Sequence, residues 1–162
     1  MDIKIITAIL EKDIAAGRQL GYQYAAAICK DPILEQYFKS QNFLSEIDKM
    51  PEGYESPDGA YLIAYVDDEA AGTVALKRLE NDVCEMKRLF VIPKYQGIGL
   101  GRLLAEHIIN EGKGLGYSRM RLDNSRSVMA KAVSIYKLMG FYEIESYNQN
   151  FVPDAMFMEK VL

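Results

Sequence analysis

The sequence has few of the residues that build metal centres and disulfide frameworks. Its 162 residues include two cysteines, one histidine and no tryptophan. A tetrahedral zinc site draws its ligands mainly from cysteine and histidine, so no metal site of this kind is expected. Cys29 and Cys84 are too few for a disulfide framework, and the sequence therefore predicts a protein of the reducing cytoplasm.

Long apolar runs and an excess of positive charge are also missing. No uninterrupted apolar run approaches the roughly 20 residues that span a bilayer. The amino terminus has acidic residues where a signal peptide is basic. The formal net charge is −4 at pH 7. Nucleic acids and anionic membranes bind clustered cations, so neither is expected to be a partner.

Length and composition suit a single domain over residues 1–162, with 49% hydrophobic and 26% charged residues. Early hairpins, a later βαβ unit and closing strands indicate an α+β or mixed-sheet fold. A turn is predicted at residues 123–125. Periodicity predicts strands at 3–7, 60–66, 72–79, 83–91, 117–122, 141–147 and 155–162, and helices at 13–29, 32–47, 100–111 and 129–139.

The chain is organised around residues 83–101, where an alternating strand leads into a glycine-rich turn. Gly97, Gly99 and Gly101 directly precede an amphipathic helix. The first amides and the dipole of a helix favour an anion, and glycine lets the backbone approach a phosphate closely. The turn is therefore predicted to hold a pyrophosphate. Strict alternation in the strand places Cys84, Met86, Arg88 and Phe90 on one face, and Glu85, Lys87, Leu89 and Val91 on the other.

Two other phosphate-binding motifs fit this turn less well. A P-loop has Lys-Ser or Lys-Thr after its last glycine, and neither follows here. The dinucleotide fingerprint GxGxxG is missed by one position, although Asp123 lies about 20 residues further on, where an acid would bind ribose. The strand also carries Glu85, Lys87 and Arg88, whereas a central parallel strand is almost continuously apolar. A dinucleotide site is therefore the weaker interpretation.

Several motifs occur in an order that is typical of one family. Gln96, Gly99 and Gly101 match the pattern Q-x-x-G-x-G, and Glu85–Val91 matches E-x-K-R-[LM]-[YF]-V. From about residue 60 to 147 the sequence resembles the Gcn5-related N-acetyltransferase (GNAT) family. The resemblance implies an α+β (mixed α/β) acyl-CoA N-acyltransferase fold, with a central, mostly antiparallel mixed sheet flanked by helices. The further motifs that carry the resemblance lie downstream of the glycine turn and are Gly116-Tyr117, Arg121–Asn124, Ala132–Tyr136 and Gly140-Phe141.

The resemblance also implies that acetyl-CoA binds as a co-substrate, with no metal. The backbone of Leu89, Phe90 and Val91 would bond pantetheine and polarise the thioester carbonyl, as an oxyanion hole does. Asn124 would meet pantetheine, and Lys137, with Lys131, would reach the ribose phosphate. The pyrophosphate would lie on Gln96, Gly97, Ile98, Gly99, Leu100, Gly101 and Arg102.

Two side chains are candidates for catalysis. Tyr136 holds the A-x-x-x-Y position that in the family often places a tyrosine near the coenzyme A sulfur, where its phenol can protonate the thiolate. Glu85 could remove the proton of the acceptor amine, directly or through a water. Each also has a structural interpretation: Tyr136 as a core residue of an amphipathic helix, and Glu85 as a cross-strand charge partner.

The implied activity is direct transfer of acetyl to a primary amine, because no cysteine lies in a recognisable nucleophile motif. The acceptor would be a small molecule or a peptide, held by the first two helices and the last hairpin. A homodimer is compatible with the resemblance. The alternative is a non-catalytic acyl-CoA binding or sensor domain, which would keep the glycine turn without depending on Tyr136. Polar side chains that could line the acceptor pocket are Tyr37, Tyr54, Tyr147, Asn150 and Asp154.

Overall fold

The chain folds into seven strands and five α-helices, and the computed structural model describes all of residues 1–162. The helices are α1 (Glu11–Ile28), α2 (Pro32–Ser40), α3 (Phe43–Lys49), α4 (Leu100–Gly114) and α5 (Ala130–Leu138). The strands are β1 (Ile3–Thr7), β2 (Ala60–Val66), β3 (Glu69–Glu80), β4 (Val83–Val91), β5 (Arg119–Ser125), β6 (Tyr142–Ile144) and β7 (Ala155–Val161). A short 3₁₀ turn, Pro93–Tyr95, lies between β4 and α4.

All seven strands form one sheet in the order β1-β2-β3-β4-β5-β7-β6. The β4–β5 pair is parallel, and every other neighbouring pair is antiparallel. A parallel pair needs a crossover connection, and α4 supplies it. The mostly antiparallel mixed sheet that the sequence predicts is therefore confirmed.

Helices cover both faces of the sheet. On the first, here called the α4 face, a core of 22 buried residues includes Leu104, Ile108 and Met120. On the second, the α1 face, helices α1, α2 and α3 pack through residues such as Tyr24 and Phe38. None of the five α-helices combines the length and the apolar character that crossing a bilayer requires.

Three predicted elements differ clearly from the structure. The strand predicted over 141–147 is shorter, because only Tyr142–Ile144 pair with β7. The helix predicted over 32–47 is two helices, because Asn42 adopts a left-handed backbone conformation (φ 54°) between them. Asparagine tolerates this conformation better than residues with larger side chains do. The turn predicted at 123–125 is instead the end of β5, where these residues pair with residues 155–157 of β7. Long-range pairing therefore outweighs the local preference of Asp and Asn for turns.

A β-bulge in β4 interrupts the predicted alternation. Thr73 of β3 pairs with Phe90, whereas Ala75 pairs with Lys87, so β4 contains one more residue than β3 in this interval. Arg88 accommodates the bulge with a φ of 61°. A bulge of this kind redirects the side chains that follow it.

Beyond the bulge, the residues of β4 lie on the opposite faces from those that strict alternation predicts. Lys87 points to the α1 face, because its partner on β3 belongs to the core on that side. Leu89 and Val91 pack on the α4 face, and Phe90 packs on the α1 face. Strict alternation predicts that Arg88 and Phe90 lie on the face opposite Lys87. This prediction is wrong, because all three residues lie on the α1 face.

A buried ion pair holds the bulge in place. The Arg88 side chain is 8% exposed, and its Nε and Nη2 donate to the Glu46 carboxylate at 2.7 and 3.2 Å. The guanidinium lies 4.3 Å from the ring centroid of Phe43, and Tyr54 donates to the same carboxylate at 2.7 Å. Burial alone would raise the pKa of Glu46, but the bonds from Arg88 and Tyr54 lower it. The pair therefore ties α3 to β4.

Gly17 in α1 allows the helix to lie close to β2. A Cβ at this position would stand 2.5 Å from the Tyr61 hydroxyl and 2.9 Å from Ile63 Cδ1, and both of these side chains are buried. We expect Gly17→Ala to lower the free energy of unfolding by about 1–2 kcal/mol, because overpacking outweighs the helical preference for alanine. Urea denaturation measures this change. Gly114→Ala is the control, since no atom lies within 4 Å of its added Cβ; an equal loss there would contradict the packing argument.

Candidate active site

A cleft opens where β4 and β5 separate. The two strands pair only through Val83–Glu85 and Arg119–Arg121. Beyond these pairs β4 stays with β3 while β5 stays with β7, and the gap between them is a cavity of about 780 Å³. The edge of β4 that faces the gap has no strand partner. Apart from the Val91 carbonyl, which accepts a hydrogen bond from Gln96, its backbone N–H and C=O groups are therefore available to a ligand.

The cleft is lined from both faces of the sheet. Tyr24 and Tyr37 contribute from α1 and α2, and Leu100 and Tyr136 contribute from α4 and α5. The gap therefore passes between the two helical layers. Two molecules that approach from opposite faces could meet beside the free edge of β4.

The glycine turn forms the wall of the cleft at the start of α4. Gly97 and Gly99 have φ values of 84° and 89°, which glycine adopts readily, and no atom lies within 4 Å of a Cβ built at either. Gln96 anchors the turn to β4, because its side-chain amide donates to the Val91 carbonyl at 2.9 Å. Gly99 is the N-cap of α4, so the unpaired amides of the first helical turn lie at this wall. This geometry fits a pyrophosphate.

Most of the predicted cofactor-binding residues line the cleft, but two do not. Ile98 is 41% exposed beside the turn, and Lys137 is exposed on α5. Arg102 and Lys131 do line the cleft, and Arg102 pairs only with Glu106, one helical turn away at 2.9 Å. Both cations are thus placed to meet a phosphate. The other predicted residues that line the cleft are Leu89, Phe90, Val91, Gln96, Gly97, Gly99, Leu100, Gly101 and Asn124.

Asn124 is a buried polar side chain with no partner in the protein. It is 6% exposed, and neither its Oδ1 nor its Nδ2 forms a hydrogen bond. A buried amide left unbonded costs free energy, so a ligand that both donates and accepts would stabilise this position. The amide groups of pantetheine have this character.

Tyr136 is both a core residue and a cleft residue. It is 6% exposed and packs edge to face with Phe141, with ring centroids 5.6 Å apart. Tyr136 also belongs to the part of α5 that lines the cleft. Burial raises the pKa of Tyr136 well above its usual range, so the phenol keeps its proton at neutral pH.

Glu85 lies beside the cleft rather than in its lining. It is 3% exposed and accepts a hydrogen bond from the Tyr147 hydroxyl at 2.7 Å. The ammonium groups of Lys87 and Lys77 lie 3.6 and 3.9 Å from its carboxylate. Lys77 is also its pair partner on β3, so the contacts match the cross-strand interpretation of this residue.

Asp123 lines the cleft, although the sequence does not mark it as a catalytic residue. Its Oδ2 accepts hydrogen bonds from the Tyr37 hydroxyl at 3.2 Å and from the side-chain amides of Asn148 and Asn150 at 2.8 and 3.1 Å. These three donors are neutral, and none of them bonds to Oδ1. Asp123 forms no salt bridge, and it thus offers the cleft a carboxylate oxygen that suits an ammonium group.

Of the polar residues predicted to line the acceptor pocket, some line the cleft and others only contact its neighbours. Tyr37 and Asn150 line the cleft. Tyr54 and Tyr147 instead donate to Glu46 and Glu85, and Asp154 accepts from Ser125 and from the Ser127 backbone. These last three residues position their neighbours and do not line the cleft.

Neither cysteine is placed to act as a nucleophile. Cys84 is fully buried in the core of the α4 face, where burial raises the pKa of its thiol to about 12. Cys29 lies outside the cleft lining. No group of three or more His, Cys, Asp or Glu residues is placed to hold a metal ion. The cleft therefore offers backbone amides, tyrosine phenols and the Asp123 carboxylate for its chemistry.

Comparison with known proteins identifies relatives of the same architecture. The family profile described as Acetyltransferase (GNAT) family matches residues 27–141. An uncharacterized N-acetyltransferase from Schizosaccharomyces pombe is 38% identical over 120 residues, which is 73% of each chain. The [ribosomal protein bS18]-alanine N-acetyltransferase of Salmonella typhimurium is 31% identical over 54% of this chain and 58% of its own. The crystal structure of the PaiA N-acetyltransferase from Thermoplasma acidophilum in complex with coenzyme A has a TM-score of 0.73 at 21% identity, over 100% of both chains.

Proposed function

This chain belongs to the acetyltransferase (GNAT) family, and we propose that it transfers acetyl from acetyl-CoA directly to a primary amine of a small molecule or peptide. One observation carries the proposal: the gap between β4 and β5 brings the glycine turn, Tyr136 and Asp123 into one cleft. Since no cysteine lines that cleft, direct attack on the thioester is favoured over a route through an acyl-enzyme.

The α4 side of the cleft is the proposed site for the coenzyme. The first amides of α4 would bind the pyrophosphate, and Arg102 and Lys131 would add positive charge. The free edge of β4 and the amide of Asn124 would bond pantetheine. The structurally similar PaiA enzyme was crystallised in complex with coenzyme A, which supports this use of the fold.

The α1 side of the cleft is the proposed site for the amine. Asp123 would take the proton of the acceptor ammonium, and the amine nitrogen would then attack the thioester carbonyl carbon. Amides of Leu89–Val91 would stabilise the developing oxyanion. As the carbon–sulfur bond breaks, Tyr136 would donate its proton to sulfur. The second proton that the attacking nitrogen loses would return through solvent to the Tyr136 phenolate, leaving an acetylated amine and free coenzyme A. Glu85 would position Tyr147 and Lys87 around this site.

A cationic acceptor fits the charge of this side. The carboxylate of Asp123, which forms no salt bridge, would attract an ammonium group, whether it belongs to a small amine or to the terminus of a peptide. The Salmonella relative is named for acetylating an alanine of ribosomal protein bS18, which supports including peptide termini in an acceptor screen.

Calorimetric titration with acetyl-CoA, with NADH and ATP in parallel, tests the proposal. We expect saturable binding of acetyl-CoA alone, followed by release of free thiol when an amine acceptor is added. Coenzyme binding without thiol release across a panel of small amines and peptides would favour the non-catalytic sensor instead. Binding of NADH alone would overturn the coenzyme assignment.

A further inference from the structure

Lys87 is a lysine inside the proposed reaction cleft. It lies on β4 just before the bulge, two residues upstream of Leu89, and its side chain lines the gap between β4 and β5. It also shares the α1 face with Phe90, on the side proposed for the acceptor. An amine of the protein itself therefore lies where an acceptor amine would have to enter.

The surroundings of Lys87 differ from those of the other lysine in the lining. The Lys87 side chain is 11% exposed, and its ammonium lies 3.6 Å from the buried Glu85 carboxylate. Lys131, in contrast, is exposed and makes no ion pair. Lys87 is thus held in a confined position, with a carboxylate close enough to take a proton.

We propose that Lys87 is a self-acetylation site, modified by acetyl-CoA bound in the same cleft when no amine acceptor is present. The inference rests on the proposed function, since it uses the same thioester. It adds a modification site and makes this chain one of its own substrates. Burial lowers the pKa of Lys87, although Glu85 opposes this shift, so a larger share of the amine is neutral and nucleophilic than at an exposed lysine.

The step balances without any further reactant. Glu85 accepts a proton from the Lys87 ammonium, and the freed lone pair of Nζ forms a bond to the thioester carbonyl carbon. The carbon–sulfur bond then breaks, and the sulfur takes a proton from Tyr136. The second proton of the Lys87 nitrogen returns through solvent to the Tyr136 phenolate. The products are N-acetyl-Lys87 and free coenzyme A. Glu85 keeps its hydrogen bond from Tyr147 and its proximity to Lys77 after the charge of Lys87 is lost.

Self-acetylation would be slow and limited to one event per chain. The acetyl amide would remain at the α1 side of the cleft, where it would narrow the space open to an acceptor. A bound acceptor would in turn shield Lys87 from the thioester. Modification and turnover should therefore compete.

Peptide mass spectrometry after incubation with acetyl-CoA, without acceptor, tests the proposal. Lys113 on α4 is the internal reference, because it is exposed and lies outside the cleft lining, where no residue of the site can assist its acetylation. Since orientation and a general base accelerate such steps, we expect Lys87 to be acetylated about 100-fold faster than Lys113. Tyr136→Phe should slow acetylation of Lys87 and leave that of Lys113 unchanged.

Lys87→Arg supplies the matched variant, because it keeps the positive charge but offers no acetylatable amine. It should abolish the modification in the cleft while calorimetry still shows coenzyme binding. Equal rates at Lys87 and Lys113 in the wild-type protein would overturn the proposal. If added amines release thiol while Lys87 stays unmodified, only this inference fails. If acetyl-CoA does not bind at all, the proposed function fails with it.

Discussion

Tyr136→Phe is expected to lower kcat by about 10²–10⁴-fold while leaving the affinity for acetyl-CoA nearly unchanged. The substitution removes one hydroxyl from a side chain that is 6% exposed and lines the cleft. The edge-to-face contact with Phe141 needs only the ring, so packing is retained. Because the raised pKa keeps the phenol protonated, the variant removes a proton donor rather than a charge. Steady-state thiol release measures kcat, and calorimetry measures affinity.

Tyr61→Phe is the matched control for this experiment. Tyr61 is as deeply buried as Tyr136, but it lies on β2 outside the cleft lining. We expect its kcat to stay close to that of the wild type. A similar fall in both variants would trace the effect to general loss of stability. An unchanged kcat in Tyr136→Phe would assign the residue to the core alone.

Asp123→Asn should lower kcat/KM by about 10²–10⁴-fold, because it removes the carboxylate proposed to accept the ammonium proton. Asparagine keeps the shape of the side chain and an oxygen that can still accept from Tyr37 and Asn148. The measured loss therefore reports the charge and basicity of Asp123 more than its packing. Initial rates against acceptor concentration give kcat/KM, and circular dichroism checks that the fold is intact.

Glu85→Gln tests whether Glu85 or Asp123 is the base that accepts the proton of the ammonium group. If Glu85 only positions its neighbours, the amide oxygen still accepts from Tyr147, and the loss should be smaller than for Asp123→Asn. A larger loss in Glu85→Gln would return the role of base to Glu85, the candidate base of the sequence analysis.

The glycine turn, which is the proposed coenzyme side of the site, could be predicted from the sequence because its determinants are local. Three glycines before an amphipathic helix specify a turn and a helix start within a few residues. The structure places Gly97 and Gly99 at positive φ, as such a turn requires. Gln96 bonds to Val91, only five residues away. Short-range geometry of this kind can be read from the order of residues.

The acceptor side could not be predicted in the same way because its determinants are distant in sequence. Asp123 is brought to the cleft by pairing with β7, and its hydrogen-bond donors Tyr37, Asn148 and Asn150 come from two separate segments. The local signal at residues 123–125 favours a turn, so the strand predicted over 117–122 stops one residue short of this carboxylate, whereas β5 continues to Ser125.

The bulge in β4 also could not be predicted from the sequence of its own strand. Alternation is a property of an uninterrupted ladder, and the extra residue at Arg88 is visible only when β4 is aligned with β3. Its stabilising partner, Glu46, lies 42 residues earlier in the chain. A pattern confined to residues 83–91 therefore assigns the wrong faces after Lys87, although it identifies the strand correctly.

The gap that joins the two helical layers also has a consequence for the order of events in turnover. Because the cleft is lined from the α4 face and from the α1 face, the proposed donor and acceptor sites would allow both substrates to be bound together without sharing an entrance. Neither product then has to leave before the second substrate arrives. Double-reciprocal plots at several fixed donor concentrations should therefore intersect rather than run parallel, which is the steady-state signature of a ternary complex.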